Sequence, residues 1–238
     1  KQSADFVATG HYAQIKDGKL VAGDDKNKDQ SYFLWTLTKE QLSKTLFPVG
    51  NIEKPEVRKL AKKFDLPNAE KKDSQGLCFI GKIDIKDFLS HYIEPKKGDV
   101  LDQNGSVIGE HDGAFFFTIG ERHGFLITKK SPHDQPYYVI AKDIDKNTIT
   151  VANKADGNLP NGITKITLID VNWNQGEISL DKVLQARSRY REELQEVTFS
   201  AQNVVEFSRP QNTLSPGQSL VVYDEAICLG GGIIEDFF

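Results

Sequence analysis

Apolar and polar positions follow two different periods along this chain, and the change falls at Pro95. Before it, strand and helix signals interleave. Phe6-Val7-Ala8 is a short apolar run leading into Thr9-Gly10-His11, which reads as a buried strand entering a functional loop of an α/β sheet. Tyr12 to Ala22 reads as a hairpin around Asp17-Gly18. Thr38-Lys39-Glu40-Gln41 is a capping box, and Leu42 and Leu46 continue the buried stripe. Pro55 in a first turn, followed by Val57, Leu60, Ala61 and Phe64, predicts a second helix ending before Pro67. Ile85, Phe88, Leu89 and Tyr92 predict a third, stopped by Pro95.

Beyond Pro95 the period shortens to that of strands. Asn104-Gly105 is a two-residue hairpin signal between Gly98-Asp99-Val100-Leu101 and Val107-Ile108. Phe115 to Ile119, Tyr137 to Ala141 and Thr148 to Val151 read as further short strands. After a seam at Asn158 to Gly162, strands are expected at Ile166 to Val171, Val183 to Tyr190, Glu196 to Ala201, Val204 to Phe207, Leu220 to Tyr223 and Ile227 to Ile234. Their regular spacing, with turn residues between, is the signature of a small β-barrel. No internal repeat or low-complexity tract interrupts this order.

Composition narrows the picture without redirecting it. The chain has 238 residues, 38% of them hydrophobic and 27% charged, ordinary values for a folded protein of one to three domains. No apolar run approaches the roughly 18 residues needed to cross a bilayer, and no charged-then-apolar leader opens the sequence, so a soluble, cytoplasmic protein is expected. The net charge of −4 gives no general affinity for nucleic acid, though a local basic strip could still supply it. The two cysteines make neither a disulfide framework nor a zinc site. The chain contains no methionine and opens almost directly into an apolar run, so it reads as beginning inside a domain.

Several stretches bear on the chemistry. In Lys71-Lys72-Asp73-Ser74-Gln75-Gly76-Leu77-Cys78-Phe79-Ile80-Gly81, the two lysines favour the Cys78 thiolate, which is the nucleophilic and sulfur-accepting form. Cys78 equally suits a buried small hydrophobe. Cys228, in an alternating apolar strand, reads as core. Gly10 allows close backbone approach to a ligand, and His11 is either a phosphate or base contact or a structural histidine. Lys28, Asp29 and Gln30 lie in a polar loop entering an aromatic helix, suited to reading RNA or, with Asp29 as a cap, simply solvated. Arg187, Arg189 and Arg191 would share one strand face, with Tyr190 at its edge. With Tyr190 equally able to lie on the other face, they point to an anion such as RNA backbone unless neighbouring acids balance them. Ser215-Pro216-Gly217-Gln218 reads as a type II turn, and Gly230-Gly231-Gly232 as a strand crossing or bulge.

In this order the motifs resemble the tRNA 2-thiouridylases. The resemblance runs through Ala8 to Ala13, Asn27 to Leu34, Leu46 to Gly50, Lys71 to Gly81, Phe117-Thr118-Ile119-Gly120-Glu121-Arg122-His123-Gly124, Arg189-Tyr190-Arg191, Thr213 to Gln218 and Cys228 to Glu235. It implies an α/β fold, an incomplete Rossmann-like ATP-pyrophosphatase domain, followed by two mainly β domains, the last a small β-barrel. The boundaries expected are 1–94, 95–160 and 161–238. It further implies ATP, with Mg as its counter-ion, adenylating the C2 oxygen of a wobble uridine, and a persulfide on Cys78 delivering the sulfur. Gly10 matches an ATP-contacting position. His11, Lys28, Asp29, Gln30, Arg189, Tyr190 and Gln218 match tRNA-contacting ones. The implied partners are tRNA and a sulfur-relay or cysteine-desulfurase donor.

The family's Ser-Gly-Gly-x-Asp-Ser loop, its catalytic Asp and its second catalytic Cys do not occur in these residues. The chain by itself is therefore expected to be inactive in thiolation. A non-catalytic tRNA-binding module and a sulfur-carrier fragment remain as alternatives.

Overall fold

The structure is a computed structural model, and it describes residues 4–71, 85–128, 136–153, 162–211 and 214–237. Contacts group the chain into two compact units, 1–71 with 163–238, and 72–162. The grouping does not follow sequence order, and the reason lies in how the first unit closes its core.

The N-terminal segment contributes β1 (Val7–Ala8), β2 (Ala13–Lys16), β3 (Lys19–Ala22), a 3-10 turn at Ser31–Leu34, α1 (Lys39–Ser43), β4 (Thr45–Leu46) and α2 (Lys54–Lys63). The β2–β3 hairpin turns through Asp17 and Gly18, both at positive φ. The capping box of α1 is formed as read: Thr38 Oγ1 accepts from the Gln41 N–H, and Gln41 Oε1 accepts from the Thr38 N–H. Pro55 sits in the first turn of α2, and Asp65 in the left-handed region follows its end. The opening run departs from expectation. β1 is two residues long, pairs in parallel with β4, and leaves Val7 63% exposed, because no described layer covers its apolar face.

The second unit holds α3 (Ile85–Ser90) and a five-stranded sheet of β5 (Gly98–Leu101), β6 (Val107–His111), β7 (Phe125–Ile127), β8 (Tyr137–Asp143) and β9 (Thr148–Asn153), in the order β7-β6-β5-β9-β8. Asp102 Oδ1 accepts from the N–H groups of Asn104 and Ser106 and so shapes the predicted Asn104-Gly105 turn. The strand expected at Phe115 to Ile119 is instead a 3-10 turn, Ala114–Phe116. Ala114 and Phe117 are buried while Phe115 is exposed, the three-residue spacing of a 3-10 turn rather than the alternation of a strand. Asn147 pins this region by accepting from the Ala114 N–H and donating to the carbonyls of Lys96 and Lys97.

The chain then re-enters the first unit with β10 (Ile163–Trp173), β11 (Leu184–Arg187), β12 (Gln195–Ala201), β13 (Val204–Gln211), β14 (Ser219–Asp224) and β15 (Ile227–Phe237). Their order, β10-β13-β12-β11-β14-β15 with β15 returning to β10, closes a six-stranded antiparallel barrel. Ile166, Leu168, Val197, Phe199, Val205, Leu220, Val222 and Ile234 fill it. β14 is buried on both faces, since Val221 and Tyr223 point out of the barrel into a second core with Ala13, Leu20, Leu34, Trp35, Leu42 and Cys228. The N-terminal segment is the cover for that outer face. Its hairpin joins the barrel sheet through Val21 opposite Ile227, and the Asn172 side chain donates to the carbonyls of Trp35 and Leu37.

The Gly230 region is the strand crossing read from the sequence. There β15 pairs with both β10 and β14, and Gly230 has φ +130 with a would-be Cβ only 1.9 Å from the Asn172 carbonyl oxygen. Gly230→Ala is expected to destabilise the chain by about 2 kcal/mol or more in urea unfolding, through backbone clash and strain; a cost under about 1 kcal/mol would contradict this close approach.

A second expectation concerns pH. His111 is buried, its Nδ1 accepts from the Gly113 N–H, and burial holds its pKa below the ordinary value despite the nearby Asp112 and Asp99 charges. The unfolded chain therefore takes up the proton first, and stability is lost as pH falls below about 6.5. In urea midpoints measured at pH 7.5 and 5.5, His111→Gln should narrow the difference; an unchanged difference counts against the assignment.

Candidate nucleic-acid interface

The polar loop at 24–30 is ordered by its own acids before it meets the barrel. Asp25 Oδ1 accepts from the Asn27 N–H, and its Oδ2 accepts from the Lys54 N–H. Asp29 is buried and fully engaged. Its Oδ1 accepts from the N–H groups of Gly23 and Ser31, and its Oδ2 accepts from the Ser31 hydroxyl and from Arg187 Nη2 at 2.5 Å. Arg187 Nη2 also donates to the Tyr223 hydroxyl at 2.8 Å, while its guanidinium lies 4.9 Å from the Tyr223 ring centroid and 5.8 Å from that of Tyr32.

Both charges are less than a tenth exposed, so each needs the other. Burial opposes the charge of Arg187, but Tyr223 and Asp29 more than offset it and raise its pKa. Burial likewise raises the Tyr223 hydroxyl. Tyr32 is pushed up to about 12, first by burial and then by the Glu192 charge. Its hydroxyl stays protonated and is shared between the carbonyls of Ser188, at 2.7 Å, and Ser219, at 3.1 Å.

That hydroxyl joins three segments far apart in sequence: the 24–34 loop, the turn after β11 and the turn before β14. The turn after β11 corrects the expected arginine strip. β11 ends at Arg187, whose side chain is buried outside the barrel with Tyr223 and Asp29, and Ser188 to Glu192 turn away instead of continuing a strand to Tyr190. Glu192 Oε2 clasps the turn by accepting from the Ser188 N–H, the Ser188 hydroxyl and the Arg189 N–H. Arg191 sits at φ +65, uncommon for a side chain of its size. The three arginines therefore do not share a face; Arg187 is structural, while Arg189, Tyr190 and Arg191 belong to the turn. The Ser215 to Gln218 turn forms as read, with Gly217 at φ +83 and the Gln218 N–H donating to the Ser215 carbonyl. Gln218 Oε1 has no hydrogen-bond partner among the described residues.

The remaining candidates lie along the same loop system. The Gln30 side chain accepts from the Tyr12 N–H at 3.1 Å, and the Gln30 N–H donates to the Tyr12 carbonyl, which fixes Gln30 beside His11 and Tyr12. His11 is half-buried, shares a 2.8 Å hydrogen bond between its Nδ1 and Thr9 Oγ1, and has its pKa lowered by burial. Gly10 is exposed, and a side chain there would meet nothing within 4 Å, so packing does not demand glycine and the backbone is open to a ligand. Lys28 is half-exposed between Asp25 and Asp29. Cys78 lies outside the described residues. Sequence reasoning missed Ser31, Tyr32 and Tyr223, whose polar tips complete the network. Tyr223 sits in an apolar run, and nothing local distinguishes it from a core residue.

Arg187→Leu and Asp29→Leu are each expected to cost about 3–5 kcal/mol in urea unfolding, because each strands a buried charge. The double variant should recover part of that loss. Single costs below about 1 kcal/mol, or strictly additive ones, would show that the pair is not coupled.

Comparison with known proteins agrees with this architecture. Residues 1–82 match the profile described as the tRNA methyl transferase HUP domain, residues 86–153 its PRC-barrel domain, and residues 163–234 the aminomethyltransferase beta-barrel domain. Among curated proteins, the tRNA-specific 2-thiouridylase MnmA of Buchnera aphidicola is 46% identical over an alignment covering 98% of this chain and 66% of the relative. Those of Francisella tularensis and Francisella philomiragia are 44% and 43% identical, each alignment covering 97% of this chain and 67% of the relative. The chain thus spans about two thirds of the length of the curated relatives it matches. With three family profiles in succession and this identity over nearly its whole length, the chain belongs to the tRNA-specific 2-thiouridylase family.

Proposed function

We propose that this chain is the RNA-binding and sulfur-bearing part of an ATP-dependent tRNA uridine 2-sulfurtransferase acting on the wobble uridine. The observation that carries the reading is the meeting, around the Asp29–Arg187 pair, of three segments widely separated in sequence, each bearing residues suited to RNA. Lys28 and Arg189 supply cations for phosphate, while Tyr190 supplies a ring. Gln218, in the turn before β14, is the third segment's candidate contact. Gln30 is held by the Tyr12 backbone for the same surface. His11, hydrogen-bonded with Thr9 Oγ1 through its Nδ1, has its Nε2 for substrate. Asp29 acts from within, by fixing the loop that presents Lys28 and Gln30.

The functional division proposed is 1–94 for nucleotide chemistry, 95–160 for the central β domain and 161–238 for the tRNA-contacting barrel. Open backbone at Gly10 is compatible with the close approach of a nucleotide. Bound ATP, with Mg as counter-ion, supplies the adenylyl group that makes the C2 oxygen of uridine a leaving group. Cys78 carries the persulfide, whose outer sulfur attacks C2 as AMP departs. The thiol of the family's second catalytic Cys, which is not among these residues, then attacks the Cys78 sulfur, breaking the S–S bond to leave sulfur on the uridine and a disulfide between the two cysteines. A cysteine desulfurase or relay protein loads Cys78. A cytoplasmic setting suits a reduced thiol of this kind.

Two measurements test the reading. The 238-residue chain should bind tRNA with an affinity that falls steeply with salt, and Lys28→Ala or Arg189→Ala should each weaken binding roughly 5- to 10-fold and flatten the salt slope by about one phosphate contact. Without the Ser-Gly-Gly-x-Asp-Ser loop the chain should form no 2-thiouridine with ATP, yet should accept labelled sulfur from a desulfurase at Cys78 and lose it in Cys78→Ser. Salt-insensitive or absent tRNA binding would sink the RNA reading; thiolated product would sink the expected inactivity.

A further inference from the structure

Phe33 is a large aromatic residue left half in solvent on a segment that is otherwise anchored. It is 51% exposed, whereas Ser31 and Leu34 of the same 3-10 turn are buried and Tyr32 is tied to two backbone carbonyls. Its ring is not loose. It meets Tyr32 edge-on with centroids 5.4 Å apart and lies 4.8 Å from the Tyr190 ring at a tilt of 42°. Arg191 places its guanidinium 5.1 Å from the centroid of that same Tyr190 ring. Phe33 and Tyr190 come from opposite ends of the chain, and the Tyr32 hydroxyl bond to Ser188 brings them together. The cation is aimed by a backbone conformation that a large side chain rarely adopts, in a turn held by three bonds to Glu192. Uncommon backbone geometry held in place by its surroundings is a mark of functional surfaces.

An exposed aromatic ring backed by a second, partly buried one and flanked by a guanidinium suits a flat, π-faced ligand attached to an anionic backbone. A duplex hides its base faces, so the fitting occupant is an unpaired nucleobase. We propose that Phe33, backed by Tyr190 and flanked by Arg191, is a stacking platform for an unpaired base of the bound RNA. The proposal rests on the RNA reading above and adds to it a residue that carries affinity through its ring face rather than through charge.

The test measures binding of the whole chain to tRNA, to a single-stranded oligoribonucleotide and to a blunt RNA duplex of equal length. Phe33→Ala is expected to weaken tRNA and single-strand binding roughly 5- to 100-fold, with the salt slope unchanged because no charge is removed. Phe33→Leu, which keeps apolar bulk but has no ring, should be impaired nearly as much. Phe33→Trp should restore affinity, and its added indole emission should be quenched by the single strand. Duplex binding should change less than twofold in every variant. Far-UV circular dichroism and the urea midpoint check that the exposed position leaves folding intact. Affinity of Phe33→Ala within twofold of wild type, full affinity in Phe33→Leu, or equal loss on the duplex would overturn the platform while leaving the RNA reading standing. Wild-type chain that binds no tRNA would overturn both.

Discussion

A buried ion pair between residues that are remote in sequence organises this molecule. Asp29 and Arg187 are each nearly removed from water, and an unpaired charge in such a place costs several kcal/mol. The carboxylate is further stabilised by two backbone N–H groups and a serine hydroxyl, and the guanidinium by a tyrosine hydroxyl and the faces of two rings. Neither side of this network is complete within its own segment. The geometry of the 24–34 loop therefore depends on the end of β11, and the burial of Arg187 depends on that loop.

The same dependence appears in the apolar part. β14 sends Leu220 and Val222 into the barrel and Val221 and Tyr223 out of it, so a closed barrel alone would leave an apolar face in water. The N-terminal hairpin, the 3-10 turn and Leu42 cover that face, and Asn172 fastens them by donating to the Trp35 and Leu37 carbonyls. The polar network sits where this second core meets solvent. Charges inside it set the positions of the loops that carry Lys28, Gln30, Arg189 and Tyr190. Asp29 thus differs from its neighbours Lys28 and Gln30, although all three stand together in sequence.

The second unit solves a local version of the same problem. The Phe117 to Gly124 motif is held as a compact loop: the Gly120 N–H donates to the Val139 carbonyl, the Val139 N–H donates to the Glu121 carbonyl, and Glu121 Oε2 accepts from the Thr118 N–H. Lys142 donates to the Phe117 carbonyl from the neighbouring strand. Phe117 is drawn into the core while Arg122 and His123 stay exposed, so what reads as a strand by its phenylalanines is a pinned turn.

Local physics made much of the fold legible from residues alone. The capping box of α1, Pro55 opening α2, the Asp17-Gly18 hairpin and the barrel strands all follow from short-range chemistry and from the period of two. The Gly230 crossing was legible for the same reason, since only glycine tolerates such an approach. The order of motifs was enough to place the chain in its family. What local pattern could not decide was which polar residues face inward. Arg187, Arg189 and Arg191 are indistinguishable by spacing, yet one is a buried counter-ion and the others lie in a clasped turn, because strand β11 ends where Glu192 captures the backbone. Asp29 and Tyr223 became partners only when the barrel closed and needed a cover. Burial of a charge is set by what lies opposite it, and here that partner is distant in sequence, so tertiary structure alone could assign it.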